Sequence, residues 1–568
     1  MSLCDDPSLA VAMSGGRGKL IEAFDAIFTE LRVVETLPLT DGRQFEWEYC
    51  DVALSFEHFT RECSDFGNLV RELHLKTPSS YFAPWRLVVY FDETTPGNGK
   101  RIDLKKKFMA VYVSILEFGP EVLKHDAAWM PAAILRHDII KLVVGGWSRV
   151  LSGFLERLFV TPGLAACGSR MTVFGEDGLL FLTCGRLLGD GDAIKVALDC
   201  KGAGGTFPLP EVANVCGIGL KNLAGYGDYI VDITCTDEAR YHLLTDAEIY
   251  HKVDTLSAES EAVKAKLMTK KEFEKHETQF GLNHNEHGLL QNVALRQYVK
   301  PRQCVTHDAC HILFSDGIVS IEMALLLPRL SEIANIKFRD IGDFMRGGWT
   351  LPRAIKRGSH ENPLKAMWSA SREGHWKREH SLQAFASDLI ACVPALAFML
   401  ETSAAVSSLM PLEVASFCKL ASLIRCYHSS KLGLSSRARW TRCLSEHAEA
   451  YKTAYGTNAR YIPKTLWARM LGVQCERDEF TMDCLAPERN HKVLKDASGP
   501  IMNTIRFERS VIVRALHLHE GRLGGGWLRD GLNRGKPSPE LAEDYVDAWQ
   551  ALQHDLAKAP NPWAWSPC

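Results

Sequence analysis

No C-x-x-C pair occurs among the 17 cysteines of this 568-residue chain, and the cysteines are scattered and odd in number. That excludes a disulfide scaffold and fits a reducing intracellular compartment in which the thiols are core residues. Neither sign of charge dominates, because 66 Lys and Arg against 69 Asp and Glu leave a formal net charge of -3. A wholly basic nucleic-acid coat is thereby excluded, although a local basic surface is not. The opening MSLCDDPSLAVAMSGGRGKL lacks a basic segment followed by an apolar one, so secretion is not expected. Long uninterrupted apolar runs are missing too. The most apolar stretch, Leu389 to Met410, carries Pro394 and Glu401 and is flanked by Asp388 and Glu413, which suits a buried helix pair in a soluble protein with no membrane span. KGAGG, FMRGGW and RLGGGWL lack the context of phosphate-binding glycine loops, so no nucleotide site is expected. There is no internal repeat and no low-complexity segment.

What is present is core-forming material: 46% of residues are hydrophobic, enough for two to four domains. Leu20, Phe24, Ile27, Phe28 and Leu31 share one helical face, and Phe56, Phe59, Phe66, Val70 and Leu73 repeat the spacing, which predicts a helical N-terminal region over 1–80. From Trp85 the runs WRLVVYF, KFMAVYVSILEF and AAWMPAAIL predict three successive strands. A helix from about Ile139 to Leu158, strand material in MTVF and LLFLTCGRLL, and a helix from Asp192 to Leu198 complete a β-β-β-α-β-α order over 81–215. Residues 216–470 read as a mainly helical insertion domain with a charged, solvated patch at SAESEAVKAKLMTKKEFEKHE. The core then resumes over 471–525, where TMDCLA is a short strand candidate and Pro487 and Glu488 open a helix that Gly499 and Pro500 close. A C-terminal helical tail over 526–568 contains the amphipathic ELAEDYVDAWQALQHDL. The fold class expected is thus α/β, a mixed sheet interrupted by a large helical insertion.

Three distant acids stand at ends of strand-like or starts of helix-like runs: Asp92 in VVYFDETTPGN, Asp190 in LLGDGDAIKVALDCKG and Glu488 in DCLAPERNHKVLK. Singly, each is explained as a turn or cap residue. Together they can form one site. If the strands ending at Asp92 and near Asp190 are parallel neighbours, a spacing of about 5 Å brings both carboxylates to one edge. Glu488, just inside a helix N-terminus, is favoured in its ionised form by the helix dipole. Two Mg2+ (or Mn2+) ions about 3.5–4 Å apart would neutralise such a group and serve phosphodiester displacement. Asp192 rivals Asp190 for the second position, and Glu93 rivals Asp92 for the first.

The three-strand opening with its Asp, the second Asp followed by DAIKVALDCKG, and the late ERNHKVLK resemble the RNase H-like DDE transposases of eukaryotic cut-and-paste DNA transposons, the CACTA-like and Kyakuja-Dileera-Zisupton-like groups being most similar. Coverage runs from about Trp85 to Leu516. Within FGLNHNEHGLLQNVALRQYVKPRQCVTHDACHILFSDGIVSIEMALLL, Asp308 and His311 match the D-x-x-H signature such transposases carry in their insertion. The resemblance implies an RNase H-like core, Asp92, Asp190 and Glu488 as catalytic and metal-binding acids, and metal-dependent DNA cleavage and strand transfer. It further implies transposon-end and target DNA as partners, a homodimer or higher assembly, and a nuclear location. The sequence also departs from the pattern. Leu209 and Val212 stand where relatives place a C-x-x-C pair, and no zinc-finger or helix-turn-helix signature precedes the first strand. A transposase relic that binds DNA or protein without catalysis, and an RNase H-like nuclease that cuts without joining, remain open alternatives.

Cys304, His307, Cys310 and His311 have metal-ligand residue types, but four ligands crowded into eight residues do not reach tetrahedral geometry unaided, so no structural zinc is expected. Two basic stretches with tryptophans are candidates for phosphate contact and base stacking. The first, between Lys337 and Arg378, holds Arg346, Arg353, Lys356, Arg357, Lys365, Arg372 and Lys377 with Trp349, Trp368 and Trp376. The second, from Arg425 to Arg442, holds Lys431, Arg437 and Arg439 beside Trp440. Lys492 and Lys495, on the helix of Glu488, join the DNA-binding candidates. A solvated helix face with buried tryptophans explains either stretch equally well.

Overall fold

β-branched and aromatic side chains on both faces of a strand demand cover on both sides, and the central strand here has that cover. The structure is a computed structural model that describes residues 17–523, apart from 99–100, 103–105, 162, 176–177, 202–219, 223–240, 347–366, 380–381, 383, 457–458, 460–461 and 502–504. The expected C-terminal tail lies outside the described residues. The protein is mixed α/β and forms two compact units. The first takes the chain up to Asp308, save a short excursion around Tyr241, and again from Asp483; the second holds Ala309–Met482.

In the first unit, α1 (Arg17–Leu31) leads into an antiparallel hairpin, β1 (Arg32–Pro38) and β2 (Gln44–Cys50), and then α2 (Val52–Glu62) and α3 (Ser64–Lys76). The hairpin corrects the expectation of helix throughout 1–80. Alternating Phe45, Trp47 and Tyr49 give β2 its period of two, and the Trp47 indole N–H donates to the Ile134 carbonyl at 2.9 Å. The main sheet follows: β3 (Trp85–Thr94), β4 (Phe108–Ile115), β5 (Met130–Arg136), β6 (Leu182–Gly189) and β7 (Val305–His307), in spatial order β7-β6-β3-β4-β5. β4 runs antiparallel to both β3 and β5, whereas β6 is parallel to β3 and β7 to β6. Between β5 and β6 lies α4 (Gly146–Phe159), and α5 (Gly191–Ala197) follows β6 directly. The first three strands, both helices and β6 stand where the β-β-β-α-β-α pattern put them. MTVF does not form a strand; Thr172–Phe174 is one turn of 3-10 helix. β7 lies inside the segment expected as insertion, because three residues in CVTHDAC carry no readable alternation.

The second unit is helical among its described residues. It contains α6 (Ile318–Ile333), α7 (Ala386–Thr402), α8 (Pro411–Lys431), α9 (Arg437–Tyr455) and α10 (Pro463–Asp478). Glu322 on α6 is fully buried, which is costly unless the charge is matched. Its carboxylate sits 2.6 Å from His447 Nε2 and accepts from the Ser416 hydroxyl at 2.7 Å. The stretch Ala309–Ile333 is apolar and long enough to cross a membrane, but 67% of its most apolar 18-residue window is buried inside the protein. Leu389–Met410 likewise places most of its apolar side chains inside, Leu409 excepted, as a helix pair broken at Ser403.

The chain returns to the first unit as α11 (Leu485–Ser498) and α12 (Phe507–Leu523). TMDCLA is not a strand: Asp483 accepts the Leu485 N–H at 3.0 Å and Asp308 accepts the Cys484 N–H at 2.9 Å, so these residues start the helix instead. α12 is pinned to β5 by Arg136–Glu508 at 2.7 Å and to α1 by Arg509–Asp25 at 2.8 Å. The sheet is covered on both faces. Phe91 points to Trp147 of α4, while Tyr90 and Asp92 point to His491 of α11.

Asp199, just beyond α5, has φ of 52°, and its carboxylate accepts from Asn285 Nδ2 at 2.9 Å. Burial pushes its carboxyl pKa up to about 6, against the hydrogen bonds from Ser148 and Asn285. A raised carboxyl pKa means the folded state holds the proton more tightly than the unfolded one. Stability should therefore fall as pH rises from about 4 to about 6, by up to about 3 kcal/mol, and level off above. Asp199→Asn keeps an acceptor and tolerates positive φ; in urea titrations across this window it should flatten that slope, and an unchanged slope would contradict the assignment.

Candidate metal centre at the carboxyl edge of the sheet

Register brings three acids level. Leu188 of β6 stands opposite Tyr90 of β3 on one side and Thr306 of β7 on the other, and Gly189 stands opposite His307. Continued past the strand ends, that register puts Asp92, Asp190 and Asp308 at matched positions on three adjacent parallel strands, about 5 Å from one to the next along the sheet. Ligand sites of open α/β sheets form outside such carboxyl ends.

Asp92 is held from three directions. Its Oδ1 accepts the Glu93 N–H at 2.6 Å, and its Oδ2 accepts the Tyr90 hydroxyl at 3.0 Å and lies 3.2 Å from His491 Nε2. Burial works to raise the Asp92 carboxyl pKa, but the His491 contact, the Glu93 N–H and the Tyr90 hydroxyl outweigh it and leave it lowered. The far side of the His491 ring, Nδ1, meets Thr94 Oγ1 at 2.7 Å and Tyr112 Oη at 3.2 Å. Glu93, the rival first acid, points to the other face, where it pairs with Lys107 at 2.5 Å and with His137 at 3.6 Å.

Asp190 is the N-cap of α5, its Oδ1 accepting the Ala193 N–H at 2.6 Å. Asp192 is 84% exposed and paired with Lys195 at 2.6 Å, so it faces solvent rather than the edge. Glu488 lies in the first turn of α11, which runs against β3. The residue it meets is Asp308. Asp308, Cys484 and Glu488, all of the first unit, each offer a possible ligand atom, and these atoms lie within 4.8 Å of one another. Asp308 and Cys484 are buried. At that separation two ionised carboxylates repel by roughly 3 kcal/mol at an effective dielectric of about 20. A cation is the natural remedy. Burial, followed by the Asp308, Glu488 and Asp92 carboxylates, raises the Cys484 thiol well above its ordinary pKa.

Asp92, Asp308 and Glu488 are hard oxygen donors of the kind Mg2+ or Mn2+ takes, and Cys484 adds a softer one. His491, Tyr90 and Cys484 escaped sequence reasoning, although a signal was there. Cys484, Glu488 and His491 follow at i, i+4 and i+7, a single helical stripe. The Cys304, His307, Cys310 and His311 constellation does not assemble as one centre. Cys304 and His307 lie in the first unit and Cys310 and His311 in the second, and the Cys304 thiol donates to the Cys184 carbonyl at 3.6 Å.

Of the basic candidates, Lys492 and Lys495 are exposed on the outer face of α11. Arg437 pairs with Glu476 at 3.0 Å, and Arg439, two residues further along α9, is half-buried. Arg346 ends a helix over Phe338–Arg346, while Arg353, Lys356, Arg357 and Trp349 lie outside the described residues. The stacking role is corrected for three tryptophans. Trp440 is fully buried, and Trp368 and Trp376 are buried against Phe338, so their rings are core and face no base.

Comparison with known proteins finds no matching family and no significantly similar curated protein.

His491 joins one carboxylate and three hydroxyls in a buried network. His491→Ala should therefore lower unfolding stability by about 2 kcal/mol or more in urea titration, the cost of buried polar groups left without a partner; an unchanged midpoint would contradict the network.

Proposed function

We propose that this protein is an RNase H-like, metal-dependent DNA strand-cleaving and strand-transferring protein of the DDE transposase kind. The observation that carries the reading is the shared edge at which Asp92, Asp190 and Asp308 stand level and Glu488 arrives on α11. The mixed five-stranded sheet and its β-β-β-α-β-α order support an RNase H-like core. Divalent cations bound there, Mg2+ or Mn2+, would activate a water or 3'-hydroxyl and steady the leaving oxygen of an in-line displacement.

Each residue has a part. Asp92 offers a carboxylate whose direction is fixed by Tyr90, Glu93 and His491, and Glu488 offers one from the first turn of α11. Asp308 joins Glu488 more closely than its place in an insertion signature implied, and Asp190 spends one oxygen lone pair on capping α5. Lys492 and Lys495, outward on the same helix, are suited to the phosphates of double-stranded DNA. Work on transposon ends and target DNA, in a homodimer or larger assembly in the nucleus, belongs to the same proposal.

Asp190's use as a helix cap favours a second reading, in which a relic retains the site and DNA binding without cutting. Both are tested with purified protein, terminal-repeat DNA and Mg2+ or Mn2+. The first predicts metal-dependent nicking and joining that Asp92→Asn and Glu488→Gln each reduce by about 100-fold or more. Nicking that survives both substitutions would overturn it, and DNA binding without any nicking would favour the relic.

A further inference from the structure

The donor set at the edge is not that of a purely hard-cation site. Mg2+ takes near-octahedral oxygen ligands and keeps several waters, yet the ligand atoms nearest Glu488 and Asp308 include the Sγ of Cys484. An ordinary core thiol is surrounded by apolar groups or donates to a carbonyl, as Cys304 does. Cys484 instead is buried among carboxylates, with Asp308, Glu488 and Asp92 all acting on it. Asp308 is also fixed by accepting the backbone N–H of Cys484 at 2.9 Å, the kind of supporting contact that orients a metal ligand.

We propose that Asp308, Cys484 and Glu488 form a site for one transition-metal ion of borderline softness, with zinc the best match. The inference rests on the reading of this edge as a metal centre and deepens it, by assigning one of its positions to an ion other than magnesium. Sulfur selects for such an ion, and carboxylate oxygen is compatible with it. The ligand atoms of a tetrahedral zinc stand roughly 3.5 Å apart, so a group already within 4.8 Å closes on the ion by small side-chain rotations. Coordination requires the thiolate, so binding releases the Cys484 proton to solvent and no other bond changes.

Cobalt(II) is the probe, because thiolate coordination gives a sulfur-to-cobalt charge-transfer band in the near ultraviolet. Titrated into the full chain, Co2+ should produce that band at one ion per chain. Zn2+ should displace it at stoichiometric levels, and Mg2+ should not. Cys484→Ser should abolish the band, and Asp308→Asn should weaken Co2+ binding by about tenfold or more. Should either variant fail to fold, urea titration of the unmodified chain gives the answer: stoichiometric Zn2+ should raise its unfolding midpoint. Absence of the band, its persistence in Cys484→Ser, equal displacement by Mg2+, or an unfolding midpoint unmoved by Zn2+ would each overturn the proposal. Nicking that depends on Mg2+ and on Asp92 is read separately, so this site can fail while the proposed function stands, and the reverse.

Discussion

Like charges repel, and the carboxyl edge of this sheet gathers acids that the rest of the first unit is built to hold. Asp308 and Glu488 carry ligand atoms within 4.8 Å of each other, and Asp92 bears on the same thiol, Cys484, that they flank. Such an arrangement is held when each acid is pinned by hydrogen bonds and the repulsion is met by a cation or a shared proton. The hydrogen bonds come from the chain itself. Asp92 takes them from Tyr90 and Glu93, Asp190 from Ala193, and Asp308 from Cys484.

The architecture follows from that requirement. Strand alternation sends Tyr90 and Asp92 to one face and Phe91 and Glu93 to the other, so a single strand serves the site and the core at once. Phe91 meets Trp147 of α4, and Asp92 meets α11, whose one stripe delivers Cys484, Glu488 and His491. α12 ties α11's end of the chain back to β5 and α1 through Arg136–Glu508 and Arg509–Asp25. Residues some 400 positions apart in sequence, such as Tyr90 and His491, thereby share a buried hydrogen bond at 3.1 Å.

Much of this was legible in the amino-acid order, for physical reasons. Long β-branched and aromatic runs announce buried strands, so β3, β4, β5 and β6 were readable, as was a helix with Pro487 and Glu488 near its start, although it begins two residues earlier, at Leu485. Short or context-made elements were not. β7 is three residues long and owes its strand to β6, and TMDCLA became a helix start because Asp483 and Asp308 took its N–H groups. Composition misled at Trp368, Trp376 and Trp440, where basic neighbours suggested a stacking surface and apolar area won burial. Asp92 and Glu488 were visible as acids at element ends; their company, Asp308, Cys484 and His491, depends on a fold that brings distant segments together.

The central claim is that this edge binds a divalent cation through Asp92 or Asp308 together with Glu488. Anomalous diffraction from crystals soaked in Mn2+, recorded near the manganese absorption edge, tests it most directly. The account predicts a peak between the carboxylates of Glu488 and Asp308 or Asp92, at oxygen-ligand distance. An ordered, well-resolved edge with no peak, or manganese bound only elsewhere on the chain, would contradict it.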